Sequence, residues 1–236
     1  MPTILLVGAK GGVGTSMLAA GLARTLARRQ PVLLVDAVRV AGIADLLLDV
    51  PVAHDWSDLL RLAPELTGRH LAAVAIEAGP NLRLLAAPAD CGPSMTGELL
   101  TSLAGLGGFV LVDTERSAIR PQGALAGLAD HLLLVTTTDP GALRAARRLA
   151  DEWPPAVRQR AGLVVNQWSA GTPLTPEQLA GGCQLPLAGV IPAAEHLAFN
   201  KIHFGQVSGS QRTWGPAVEA LATRAARALA SEAANA

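Results

Sequence analysis

Short, unbroken apolar segments alternate along this chain with longer stretches of helical periodicity, and this alternation is the strongest constraint on its fold. The apolar segments, which we interpret as strands, are 3–7, 32–35, 82–86, 109–112, 131–135, 163–165 and 187–191. Strands that are apolar on both faces and separated by helices are typical of a parallel sheet covered on both sides. We therefore predict an α/β fold, a doubly wound, mostly parallel sheet with helices on both faces, in one domain over 1–236.

The intervening stretches carry helix signals. Leucines recur every four residues in 16–29. Asp139 is placed to cap a helix over 140–151, with Pro140 in its first position. An alanine-rich helix is predicted over 215–234, where small side chains replace the bulky apolar residues that a membrane-binding helix needs. We expect this last helix to pack on the domain, so we predict no direct membrane anchor.

The composition argues against a nucleic-acid-binding protein with strong net charge and against a membrane-spanning protein. The chain has 236 residues, half of them apolar, with zero formal net charge, so no global charge draws it to nucleic acid. No apolar run approaches the roughly 20 residues that span a bilayer. We expect a soluble, cytoplasmic protein.

Residues 8–16, GAKGGVGTS, resemble a phosphate-binding loop of the pattern G-x-x-x-x-G-K-[ST]. Gly8 and Gly14 frame it and Ser16 closes it, but Thr15 occupies the usual lysine position. A lysine stands instead at Lys10. The chain has only two lysines against 17 arginines, so a lysine inside this loop is improbable by chance.

A strand, a glycine loop and a helix in this order predict an anion site. The backbone N–H groups would surround a phosphate, aided by the helix N-terminus; the residues concerned are Gly11, Gly12, Val13, Gly14, Thr15 and Ser16. Ser16 would offer its hydroxyl to Mg²⁺. Asp36 and Asp113, each ending an apolar strand, would complete the metal site. Taken alone, either aspartate could equally be a strand-end or helix-capping residue.

These segments together resemble the MinD/ParA class of P-loop ATPases, which has a deviant Walker-A loop with a lysine before the double glycine. VLLVD at 32–36, FVLVD at 109–113, VVNQ at 164–167 and GVIP at 189–192 extend the resemblance over nearly the whole chain. Within the class, the chain is most similar to the CpaE/TadZ proteins of Tad-type pilus assembly. The segments that suggest them are DWSDLLR at 55–61, NLRLLAAPAD at 81–90 and LLLVTTTDPGALRAARRL at 132–149.

The resemblance implies the cofactors ATP or ADP with Mg²⁺, and a homodimer bridged by nucleotide. Lys10 would reach the partner subunit's nucleotide, and the resemblance makes Lys10 and Asp36 the catalytic residues. Asn166 would contact adenine, and Pro192 would line the nucleotide site. Pilus or secretion machinery would be the partner, with recruitment to a cell pole.

Two parts of the class's hydrolytic apparatus are absent. Thr15 replaces the lysine that binds the β- and γ-phosphates, and Val38 stands where the class has a second, water-orienting aspartate. Positioned charge supplies most of the catalysis of phosphoryl transfer. We expect turnover to fall by roughly 10³-fold or more, leaving at most a weak ATPase.

Two alternatives stay open. One is an active ATPase switch in DNA partitioning or division-site placement. The other is a protein that binds no nucleotide and works through protein contacts alone. Arg144, Arg147 and Arg148 share one helix face and could contact DNA, as basic residues do in ParA-like proteins. A solvated helix face is the favoured interpretation of these arginines.

Overall fold

The computed structural model describes residues 2–40, 42–88, 95–106, 108–119, 125–169, 171–193 and 211–233. These residues form one sheet of eight strands in the order β3-β4-β2-β5-β1-β6-β7-β8. The strands are β1 (Thr3–Gly8), β2 (Val32–Ala37), β3 (Ile76–Gly79), β4 (Leu82–Leu85), β5 (Phe109–Thr114), β6 (His131–Thr136), β7 (Ala161–Trp168) and β8 (Leu187–Pro192). All neighbouring strands pair in parallel except β3 with β4.

The predicted fold class is confirmed, and the seven predicted strands are all present. The antiparallel edge strand β3 was missed. Its sequence IEAG alternates half-buried and exposed residues, so it lacks the continuous apolar run that identified the others.

Helices cover both faces of the sheet. They are α1 (Thr15–Ala27), α2 (Ala44–Leu48), α3 (Gly68–Val74), α4 (Gly97–Ala104), α5 (Pro140–Asp151), α6 (Pro155–Gln159), α7 (Pro176–Gly182) and α8 (Gln211–Ala233). Side chains of β1 alternate between two buried clusters: Leu5 packs with α4 and α5, and Leu6 packs with α1 and α8. The C-terminal helix is thus a packing element, as expected.

The structure confirms one predicted helix start and changes the type of another predicted helix. The cap at Asp139 is confirmed, because its carboxylate accepts a hydrogen bond of 2.8 Å from the N–H of Ala142 at the start of α5. Residues 55–62, predicted as a short amphipathic helix, form part of a 3₁₀ helix, Trp56–Glu65. Pro64 lies inside it and cannot donate the backbone hydrogen bond that a regular α-helix needs at this position.

No helix in the described ranges combines the length and apolarity needed to cross a membrane.

Candidate nucleotide site

The loop between β1 and α1 has the backbone of an anion cradle. Gly12 and Gly14 adopt left-handed conformations with φ of 81° and 82°, which glycine reaches without steric cost. The N–H of Ala9 donates to the carbonyl of Val135 at 2.8 Å, which fixes the loop to β6. The first turn of α1 carries no acidic residue, so the positive end of its dipole faces the loop uncompensated.

A cavity of about 560 Å³ opens over this loop at the carboxyl ends of the strands. Its size is within the range of small-molecule sites. The structure brings most of the predicted site residues to its wall: Lys10, Gly11, Gly12, Val13, Gly14, Thr15, Ser16, Asp113, Asn166 and Pro192. Asp36 is not among the lining residues.

Asp113 is the most unusual group in the cavity wall. It is 1% exposed, and the hydroxyl of Ser16 donates to its carboxylate. Its Oδ2, like the nearby hydroxyl of Thr114, has no hydrogen-bond partner in the described part of the chain. Burial is the main cause that raises the pKa of Asp113 to about 7, and the charge of Asp36 adds to it. A buried carboxylate oxygen without a partner, beside a serine hydroxyl, is a donor set that suits a divalent cation.

Asp36 has the backbone hydrogen bonds of a strand-end or helix-capping residue, one of the two interpretations left open from the sequence, and its metal role stays a prediction. Its two carboxylate oxygens accept hydrogen bonds from the N–H groups of Val38, at 3.2 Å, and Ala44, at 3.0 Å. Burial raises its pKa to about 6. Asp36 thus shapes the turn that leads into α2. It lies beside Asp113 in the sheet register, so it acts on the cavity through its charge.

Lys10 forms an ion pair with Asp139 of the same chain. Its Nζ lies 2.7 Å from Oδ1 of Asp139, and both side chains are about half exposed. The ammonium group is the main cause that keeps the pKa of Asp139 below its usual range. The sequence identified Asp139 only as the cap of α5, and the two residues are too distant in the chain for any pattern to pair them.

The side chains at the two substituted positions are uncharged. A Cβ added to Gly8 would lie 2.6 Å from the Oγ1 of Thr15, so the Thr15 hydroxyl covers the floor of the loop. Val38 lines the cavity and presents an apolar surface there.

Asn166 supports the loop. Its side-chain amide donates to the carbonyl of Val13 at 2.8 Å, and it is 7% exposed. This bond holds the end of β7 against the turn that precedes α1. Its predicted contact with adenine stays a prediction. Residues 194–205, which follow the GVIP segment, lie outside the described residues.

Arg116 was missed by the sequence analysis. It lies in the short 3₁₀ helix Arg116–Ile119, directly after β5, and lines the cavity. One guanidinium nitrogen donates to the carbonyl of Ala9 at 3.3 Å. Its position three residues after Asp113 is the sequence feature that could have indicated a place in the cavity wall.

The sequence matches no protein-family model, and no relative was found among curated proteins. The structure, in contrast, is similar to several solved structures over nearly its whole length. A ParA family ATPase from Chlorobium tepidum aligns with a TM-score of 0.81 and 22% identity, covering 94% of this chain and 97% of that one. The fold is that of the ParA and MinD ATPases.

Two MinD structures show the same relation. MinD in the MinC:MinD cell division protein complex of Aquifex aeolicus aligns with a TM-score of 0.77 and 21% identity, covering 95% of both chains. MinD from Pyrococcus horikoshii, complexed with Mg-ADP, aligns with a TM-score of 0.72 and 21% identity over 94% of both chains. Within the ParA/MinD fold of this chain, the glycine loop, the orphaned oxygen of Asp113 and the cavity form a site whose chemistry fits a magnesium nucleotide.

Proposed function

We propose that this chain binds ATP or ADP with Mg²⁺ in the cavity, that two copies close over bound ATP, and that it hydrolyses ATP weakly. One observation carries the proposal. The unpartnered Oδ2 of Asp113 and the hydroxyl of Ser16 adjoin a loop whose backbone is already arranged for phosphate. The Mg-ADP complex of the structurally similar Pyrococcus MinD supports the same ligand.

The residues present divide the binding tasks. Backbone N–H groups of 11–16 and the N-terminus of α1 receive the phosphates. Ser16 and Asp113 would hold Mg²⁺, which neutralises phosphate charge. Asp36 keeps its predicted metal role only through its charge, because both of its oxygens bind backbone N–H groups. Asn166 and Pro192, on β7 and β8, would lie beside the base.

Weak turnover follows from the side chains at Thr15 and Val38. The hydroxyl of Thr15 can hydrogen-bond a phosphate but cannot neutralise charge that develops on it. Val38 gives the cavity wall no carboxylate to orient an attacking water. Since phosphoryl transfer depends on positioned charge, these two side chains would reduce ATP hydrolysis more than they reduce nucleotide binding.

Lys10 would serve the partner subunit. Its side chain is 43% exposed, and its ion pair with Asp139 lies at the surface, where such pairs are easily broken. On dimerisation it would exchange Asp139 for phosphate on the partner's nucleotide, which gives ATP the role of fastening two subunits.

Calorimetry with ATP–Mg²⁺ and ADP–Mg²⁺, together with light scattering for mass, tests this function. Wild type should bind both nucleotides and dimerise with ATP. Ser16→Ala should lose Mg²⁺-dependent affinity, whereas Lys10→Ala should keep nucleotide binding but lose the dimer. No affinity for either nucleotide would leave only a role in protein contacts, and vigorous turnover would refute weak hydrolysis.

The cellular role has two candidates. A localisation or scaffold role in Tad-type pilus assembly is supported by the resemblance of 55–61, 81–90 and 132–149 to CpaE/TadZ proteins. A switch in partitioning or division is supported by the ParA and MinD structures that share the fold. Stimulation of turnover by DNA, and salt-sensitive binding to random duplex, would favour the second role.

A further inference from the structure

The cavity needs more positive charge than its glycine loop supplies through Lys10. A nucleoside triphosphate brings several negative charges, and the usual lysine is replaced by Thr15. The cationic side chains that line the described cavity are Lys10 and Arg116. Lys10 is already paired with Asp139 at 2.7 Å.

Within the described residues, the guanidinium of Arg116 forms no ion pair. It donates a hydrogen bond to the Ala9 carbonyl at 3.3 Å. A guanidinium has five N–H donors in a planar fork, so most of them remain available after one bond to a carbonyl. The contact with Ala9 holds the fork against the beginning of the phosphate loop.

The strand order decides which end of a nucleotide Arg116 would meet. Arg116 follows β5, whereas Asn166 and Pro192 lie on β7 and β8, on the other side of β1 and its loop. If the base lies at the β7–β8 end, the phosphate chain crosses the loop and ends near β5. Asp113, on β5, is the metal ligand that lies at this same end.

We propose that Arg116 supplies the charge missing at Thr15 by binding the terminal phosphate of a nucleoside triphosphate. The inference rests on the proposed nucleotide site and adds a residue that distinguishes a triphosphate from a diphosphate. A compact lysine cannot be replaced in place by arginine within a tight loop, but an arginine that enters from the side reaches the same oxygens with two donors.

The test compares ATP–Mg²⁺ with ADP–Mg²⁺ affinity by calorimetry in Arg116→Gln. Hydrogen bonds to charged groups contribute enough that ATP affinity should fall by roughly 10- to 100-fold. ADP affinity should change by less than about threefold. Arg116→Lys should recover part of the loss. A purely structural role, in which Arg116 only holds Ala9, predicts equal losses for ATP and ADP and would overturn the proposal.

Arg144→Gln is the matched control. Arg144 is an exposed arginine on α5 that lines the neighbouring groove with Arg116 but not the nucleotide cavity. It should leave both affinities unchanged, and an ATP loss equal to that of Arg116→Gln would show a general charge effect and refute the inference. Circular dichroism and thermal melting of each variant would confirm that it is folded.

A second variant, Thr15→Lys, tests the proposal by a gain in ATP affinity. Thr15→Lys should restore ATP affinity in Arg116→Gln and add much less to wild type, because the two cations would serve the same phosphate. Strictly additive effects would overturn the inference. Wild type that binds no nucleotide would overturn both this inference and the proposed function, whereas an ATP affinity that is unchanged in Arg116→Gln would overturn the inference alone.

Discussion

The buried carboxyl of Asp113 makes the stability of the nucleotide-free protein depend on pH. Its pKa is raised from 3.8 to about 7, so folding favours its protonated form. That contribution is fully present below about pH 4 and is lost as the pH rises through 7. Asp36, with its pKa near 6, acts in the same direction.

We predict that Asp113→Asn flattens this dependence. In EDTA, the melting temperature of wild type should fall between pH 5.5 and pH 8 by more than that of the variant, with a difference on the order of 5 °C. Differential scanning calorimetry measures it. Asp151→Asn, at an exposed position on α5, should melt in parallel with wild type, and a parallel curve for Asp113→Asn would refute the prediction.

The ion pair between Lys10 and Asp139 would oppose the proposed transfer of Lys10 to a partner subunit. Asp139→Asn removes the opposing charge while asparagine still caps α5. The ATP-dependent dimer should tighten, by less than about fivefold because exposed ion pairs contribute little. Sedimentation velocity with ATP–Mg²⁺ measures the shift.

The control for this change is Asp151→Asn, which makes the same charge change on the same helix at a pair with Arg147 whose atoms lie 3.8 Å apart. It should leave the dimer unchanged. An equal gain in dimer affinity in both variants, or no gain in Asp139→Asn, would contradict the prediction that the ion pair with Asp139 holds Lys10 back from the partner.

At the scale of the element, three glycines of the phosphate loop distinguish the cost of a left-handed backbone from the cost of a steric clash. An added Cβ meets nothing within 4 Å at Gly11 or Gly12, but would lie 2.6 Å from Asn166 Nδ2 at Gly14. Gly12 and Gly14 have left-handed backbones, which alanine adopts at a cost of about 1–2 kcal/mol.

We therefore predict a graded series of alanine variants. Gly11→Ala should unfold with nearly wild-type stability, Gly12→Ala should lose about 1–2 kcal/mol, and Gly14→Ala should lose more and also weaken nucleotide binding. Urea unfolding gives the stabilities. A Gly14→Ala variant as stable as Gly11→Ala would show that Asn166 does not constrain the loop.

The elements show why prediction succeeded in one place and failed in another. β1, β2 and β5 are buried on both faces, and such strands give continuous apolar runs that are visible in sequence. The short helices α2 and α6 have five residues each, less than two turns, and give no recognisable period. β3 pairs at the edge with an alternating pattern, so its place depends on β4 and not on its own sequence.

At the scale of the whole molecule, the parallel sheet explains why the site could be largely predicted. The carboxyl ends of parallel strands meet at one edge, so Asp113 and Asn166, near the ends of two strands, lie beside the glycine loop that follows β1. The bonds of Lys10 with Asp139 and of Arg116 with Ala9 join residues over one hundred positions apart. Such contacts depend on side-chain packing, which local sequence does not encode.

In the proposed dimer, nucleotide binding and ATP turnover depend on different groups and can be separated by mutation. Arg116, as proposed, holds the terminal phosphate in the bound state, whereas Thr15→Lys places a second cation inside the loop for the charge that develops during transfer. Val38→Asp adds a carboxylate at a position that lines the cavity. Because catalysis needs both a neutralised phosphate and an oriented water, each single variant should gain less than about tenfold in ATP turnover. The double variant should gain much more than their product. Phosphate release measures turnover, and the control is Thr15→Lys with Val38→Asn, which replaces the new carboxylate by an uncharged amide. A double variant as slow as this control, while still dimeric with ATP, would show that other missing groups limit hydrolysis.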